Sequence, residues 1–132
     1  MDVRERSLLN HYRIRLRQAP FALVALASVV ILFTPASGVP SAPPGTDVIV
    51  HLTLFAALAG TGALARLPPR PLTLGLALYA GASEVLQMLL PLGRSGDPVD
   101  VLADLAGVAL GLTAAVWAPR VRAATSRSVL SD

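Results

Sequence analysis

The sequence predicts an all-α, polytopic membrane protein: a compact bundle of four transmembrane helices with both termini on the cytoplasmic side. Three observations lead there. Of the 132 residues, 54% are hydrophobic and only 14% charged, whereas a soluble domain carries about 25% charged residues. The apolar residues collect into four stretches, 19–34, 48–65, 72–92 and 99–118, each near the ~20 residues that cross ~30 Å of hydrocarbon. Between them lie short segments rich in Pro, Gly and Arg. No stretch alternates as a barrel strand does, and backbone groups left unpaired in lipid are costly, so each is expected to be a helix.

The first stretch is the shortest. Its apolar core, 21–33, is followed by Pro35-Ala36-Ser37-Gly38, an outline shared with signal peptides. A bundle this small needs a fourth helix, which favours a retained span. The second and third stretches are divided by Pro68, Pro69 and Pro71, and the third and fourth by Gly93, Gly96 and Pro98. The expected organisation is a basic cytoplasmic segment at 1–18, a membrane domain at 19–118 and a cytoplasmic tail at 119–132. In the first of these, Leu8, Leu9, Tyr12 and Leu16 share one helical face, a pattern open to both a helix lying on the anionic inner surface and a solvated leader.

Orientation follows from the arginines, which supply all eleven basic residues. Arg4, Arg6, Arg13, Arg15 and Arg17 precede the first span, Arg66 and Arg70 separate the second from the third, and Arg120, Arg122 and Arg127 follow the fourth. Only Arg94 falls in the other two connections. The positive-inside rule then puts both termini and the middle loop in the cytoplasm and the other loops outside. The same asymmetry explains a sequence pI near 10.6 without nucleic acid, for which 5% aromatic residues offer little base stacking. With no cysteine, disulfides, zinc-finger sites and thiol nucleophiles are excluded.

Acidic residues occupy the opposite side. Asp47, Glu84, Asp97, Asp100 and Asp104 all fall in the outer loops or outer halves of the spans, joined by His51, Gln87 and Arg94. A charge in mid-span costs ~2.5–3.5 kcal/mol on insertion scales and is a functional candidate by default. With the third span ending at Leu92, a rise of ~1.5 Å per residue puts Glu84 ~12 Å and Asp104 ~8 Å below the outer ends of their helices. Gln87 shares the face of Glu84. Asp100, Asp104, Gly107 and Gly111 form one stripe, acids above and glycines below, and the glycines allow a neighbouring helix to approach closely. Asp47 and His51 make a matching face on the second span. Competing structural roles are an N-cap at Asp97 before Pro98, a cap for span two at Thr46 or Asp47, and polar glue between helices for Glu84, Gln87 and Asp104.

Asp47-x-x-x-His51, then Glu84-x-x-Gln87 with Pro91-x-x-Arg94, then Asp97-x-x-Asp100-x-x-x-Asp104-x-x-Gly107-x-x-x-Gly111 resembles the VanZ-like family of small bacterial membrane proteins. The motifs cover about 47–117, and the span number covers the whole chain. One departure is Asp104, where the family pattern usually has asparagine. The resemblance implies a multi-pass protein of the bacterial cytoplasmic membrane. It also implies a link to resistance against the glycopeptide teicoplanin, and kinship with membrane proteins acting on lipid head groups, such as phosphatidylserine synthases.

A polar recess under the outer interface, walled by apolar helices, suits an amphiphile: a phospholipid or a polyprenyl-phosphate-linked precursor. Arg94 is the candidate phosphate ligand because its guanidinium fork matches two phosphate oxygens. His51 and Glu84 are the candidate acid/base pair, with Asp104 as the third catalytic candidate. Asp47, Gln87, Asp97 and Asp100 are the remaining substrate-binding candidates, and Gly107 and Gly111 the packing residues. No cofactor or metal is assigned, although Asp100 and Asp104 could orient His51 or supply oxygen ligands to a divalent cation. The rival from another class is a non-enzymatic binding or accessory protein. A proton relay through Glu84 and Asp104 is disfavoured, since four short spans show no inverted repeat.

Overall fold

The computed structural model describes the backbone of residues 3–39 and 41–129, and the side chains of residues 5, 12–39 and 41–118. Four helices carry the chain: α1 (Val3–Leu32), α2 (Thr46–Leu64), α3 (Pro69–Leu89) and α4 (Pro98–Val129), with one turn of 3-10 helix at Ala36–Gly38. No strand occurs among the described residues. Each helix contains a segment long and apolar enough to span a membrane: Tyr12–Leu32, Thr46–Leu64, Pro69–Leu89 and Pro98–Ala118. Large apolar side chains such as Leu23, Leu74, Leu78, Leu89 and Leu102 are exposed on the outside of the bundle. In water so much exposed apolar surface would drive association, while in lipid it is the solvated face.

Local chemistry sets the helix ends. α3 starts at consecutive prolines, whose missing N–H groups are unpaired in a first turn anyway. It ends earlier than the apolar run suggests. Leu90 is extended, with φ −84° and ψ 149°, as the residue before Pro91 is driven to be. At ~1.5 Å per residue, Glu84 is therefore ~8 Å from the end of its helix, not ~12 Å, level with Asp104 on α4. The N-cap of α2 is Gly45, at φ 85° and with no side-chain capping bond. Neither Thr46 nor Asp47 caps this helix, and the Thr46 hydroxyl turns back to donate to the Pro43 carbonyl at 2.7 Å. At the ends of the chain, α1 and α4 run on beyond the apolar stretches, so the basic residues from Val3 onward continue the first helix.

The α1–α2 and α3–α4 connections meet at one end of the bundle, where the Ala36 N–H donates to the Leu92 carbonyl at 2.9 Å. The most extensive helix contact is between α2 and α4, which run parallel. Glycine makes it possible. A Cβ at Gly107 would press on the Leu52 carbonyl and the Ala56 amide, and one at Gly111 on the Ala56 carbonyl and the Gly60 amide. A core of Phe55, Leu58, Ala59, Leu76, Ala80 and Val108 fills the middle, with the Phe55 and Tyr79 rings stacked at 5.5 Å. α1 joins at the side, where the Ser28 hydroxyl lies 3.2 Å from the Tyr79 hydroxyl.

Two predictions follow from this packing. Gly111→Val should destabilise the bundle by about 1–3 kcal/mol, the usual cost of overpacking. Gly75→Ala, inside α3 and with nothing within 4 Å of the added atom, should instead leave stability unchanged or raise it by up to about 1 kcal/mol; denaturant titration in micelles measures both. Because the chain has no cysteine, a single introduced thiol reports its side of the membrane. An impermeant maleimide should label Ser95→Cys on intact cells and Arg70→Cys only after permeabilisation, and the reverse pattern would invert the topology.

Candidate functional site

Three helices deliver ionisable side chains to one place near the loop-bearing end. His51 comes from the second turn of α2, Glu84 and Gln87 from the last turns of α3, and Asp100 and Asp104 from the first turns of α4. His51 is 2% exposed, Glu84 5% and Asp104 0%. The parallel approach of α2 and α4 places His51 Nδ1 3.0 Å from Asp104 Oδ1. With Asp104 ionised, Nδ1 carries the proton and donates, leaving the lone pair at Nε2. Nε2 lies 4.0 Å from Asp100 Oδ2, while Glu84 Oε1 is 3.8 Å from Nδ1.

Glu84 is held from the other side. Its Oε2 accepts the Asp97 N–H at 2.8 Å, and Gly96 packs so closely on the Glu84 carbonyl that a Cβ there would collide with it. Asp97 itself is engaged at the start of α4, where its Oδ1 accepts the Val99 N–H at 2.9 Å as an N-cap preceding proline. Its carboxylate thus serves the helix end, and its backbone serves Glu84. Four buried side-chain atoms have no hydrogen-bond partner among the described residues: Glu84 Oε1, Gln87 Nε2, Asp100 Oδ1 and Asp104 Oδ2. Unpaired buried polar atoms cost about 1–3 kcal/mol each. Four in one cluster mark an arrangement suited to something other than holding helices together.

Above the cluster a cavity of about 360 Å³ opens between the two loops, lined by Asp47, Gln87, Gly93, Arg94, Ser95 and Asp100 among others. Asp100 and Gln87 belong to both cluster and cavity, and so form its floor. Arg94 is half-buried in the wall and Asp47 is exposed at the rim. Gly107 and Gly111 lie deeper, on the α2 contact, and do not line the cavity. A second, apolar cavity of about 520 Å³ lies towards the other end, bordered by Phe21, Ser28, Leu58, Leu76 and Tyr79. The α1–α2 loop contributes Ala36, Val39 and Ser41 to the polar cavity. Sequence pattern missed them, since isolated small residues in a Pro-rich loop carry no periodic signal.

The chain matches no family model, no curated protein and no solved structure.

The His51–Asp104 bond leads to a comparison of two substitutions. Asp104→Asn keeps an acceptor for the imidazole N–H, whereas Asp104→Leu leaves that donor buried and unpaired. The leucine variant should be about 1–3 kcal/mol less stable than the asparagine variant. Equal stability in micelle denaturation would show that the bond does not hold the imidazole.

Proposed function

We propose that the loop-bearing end of the bundle binds the phosphate-bearing head group of an envelope lipid or a polyprenyl-linked precursor and acts on it, as a head-group transferase or hydrolase at the outer face of the bacterial cytoplasmic membrane. The observation that carries this reading is the convergence of His51, Glu84, Asp100 and Asp104 from three helices under a polar cavity. Binding a soluble substrate does not require a site sunk among lipid-facing helices. A molecule whose tails stay in hydrocarbon and whose head is polar reaches it laterally.

Within this reading, Arg94 takes the phosphate, because a guanidinium makes charge-assisted, paired hydrogen bonds to phosphate oxygens. Asp104 fixes the ring and tautomer of His51, so that the Nε2 lone pair is the basic atom of the cluster. Glu84, with one oxygen on the Asp97 N–H and the other unpartnered, is the complementary group for proton transfer. Asp47 and Gln87 offer contacts to the hydroxyls or amines of the head group. The order of the polar residues supports membership of the VanZ-like family, and with it a role in the envelope's response to teicoplanin.

The test is to extract the protein with its surrounding lipid in polymer discs and identify the lipids that stay bound. A phosphate-bearing envelope lipid should be enriched over bulk membrane, and Arg94→Gln should reduce the enrichment about tenfold or more. Glu84→Gln and His51→Ala should retain the lipid while a product disappears from membranes whose protein level is unchanged. Bound lipid identical to the bulk composition would overturn the reading. Retention with no loss of any product in the Glu84→Gln membranes would leave a binding or accessory protein.

A further inference from the structure

The buried cluster gathers more carboxyl groups than the basic groups around it can pair. Three carboxylates face one imidazole, and among the described residues no arginine forms an ion pair with any of them. Arg94 acts on Asp100 only through space, from the cavity wall. Ionised groups removed from water are costly unless paired or coordinated to metal. Among the described residues, Glu84 Oε1 and Asp104 Oδ2, on residues more than nine-tenths buried, have no hydrogen-bond partner, and neither does Asp100 Oδ1.

We propose that His51, Glu84 and Asp100 form a site for one divalent cation of the manganese-to-zinc class, with Asp104 fixing His51 from behind. Each of the three residues offers one donor atom, and these atoms lie within 4.8 Å of one another. Small side-chain rotations bring such a set to the ~2.0–2.2 Å at which imidazole nitrogen and carboxylate oxygen hold zinc. The contact of His51 Nδ1 with Asp104 at 3.0 Å is the arrangement found behind metal-bound histidines. There the second ring nitrogen donates to a carboxylate, which sets the tautomer and leaves the other nitrogen's lone pair for the ion. The ligand set selects the class: oxygen-only cages suit magnesium and calcium, whereas one imidazole with carboxylates suits manganese and zinc. Three ligands leave coordination positions for water or a phosphate oxygen, and Asp100 gives access from the cavity that Arg94 lines.

The inference rests on reading that cavity as a head-group site and refines it. With His51 Nε2, Glu84 Oε1 and Asp100 as its holders, the ion would supply a Lewis acid and an acidified water beside the phosphate, whose retention remains with Arg94. Its experiment needs no lipid substrate. The full chain, purified in discs of neutral phosphatidylcholine and stripped with chelator, is titrated with Mn2+ and followed by electron paramagnetic resonance. One Mn2+ should bind per chain, displaced by Zn2+, with spin-echo modulation from a single imidazole nitrogen.

Asp104→Asn should weaken binding by about 10–100-fold, the effect of losing a group that orients a ligand. Glu84→Gln and Asp100→Asn should weaken it further, and Arg94→Gln should not weaken it at all. Absence of saturable Mn2+ and Zn2+ binding by the unaltered chain overturns the site, as does bound Mn2+ without nitrogen modulation. Should the variants fail to fold, the nitrogen signature in the unaltered chain still decides. Failure here leaves the lipid-retention result standing, and loss of lipid retention leaves the ion titration standing, so the two readings fall separately.

Discussion

Because Gly107 and Gly111 lack Cβ atoms, α4 lies directly against the Leu52 and Ala56 carbonyls of α2, and one turn higher the same approach brings Asp104 to 3.0 Å from His51. Helix association in lipid has no hydrophobic drive between apolar surfaces, so close packing and interhelical hydrogen bonds must supply it. Here both occur along a single seam, with the contact of small residues below and the polar pair above. The buried ionisable groups depend on that seam, since a wider spacing would admit lipid or leave the imidazole without its acceptor. α3 and α1 then close the remaining sides, packing Tyr79, Leu76 and Leu32 around Phe55 of α2.

The cluster sits where two demands oppose each other. Burial in hydrocarbon penalises every uncompensated charge, yet Glu84, Asp100 and Asp104 each keep a buried oxygen with no hydrogen-bond partner among the described residues. A bundle selected for stability alone would replace such a set with well-packed apolar residues, which is often neutral or stabilising. These oxygens lie beneath the polar cavity that Asp100 and Gln87 floor, where a bound group would offset their cost.

Much of this architecture was legible in the amino acids. Low charge and proline-punctuated apolar runs suffice for four helices, and the spacing Asp100, Asp104, Gly107, Gly111 puts acids and glycines on one face of α4. The ends of helices were less legible, because local backbone effects outweigh hydropathy there: Pro91 stops α3 at Leu89 although Leu90 and Leu92 are apolar, and Gly45, not a hydroxyl or carboxylate, begins α2. What pattern could not supply were distances between helices. That His51 meets Asp104 more closely than Glu84, that Asp97 offers its backbone to Glu84, and that Ser28 reaches Tyr79 all depend on helix rotation and tilt, on which a single sequence is silent.

The double engagement of Asp97 makes the α3–α4 connection a ruler. Its carboxylate is fixed to the first turn of one helix and its amide to a side chain about one and a half turns inside another, while the Leu92 carbonyl is tied to the neighbouring loop. A single inserted residue lengthens the tether by up to ~3.6 Å, more than a hydrogen bond can stretch, and would release Glu84 Oε2 from the Asp97 N–H. Length variation among descendants of this chain should therefore accumulate in the proline-rich strap after α1 and spare the connection over 90–97 between α3 and α4, whose dimensions set where the Glu84 carboxylate stands.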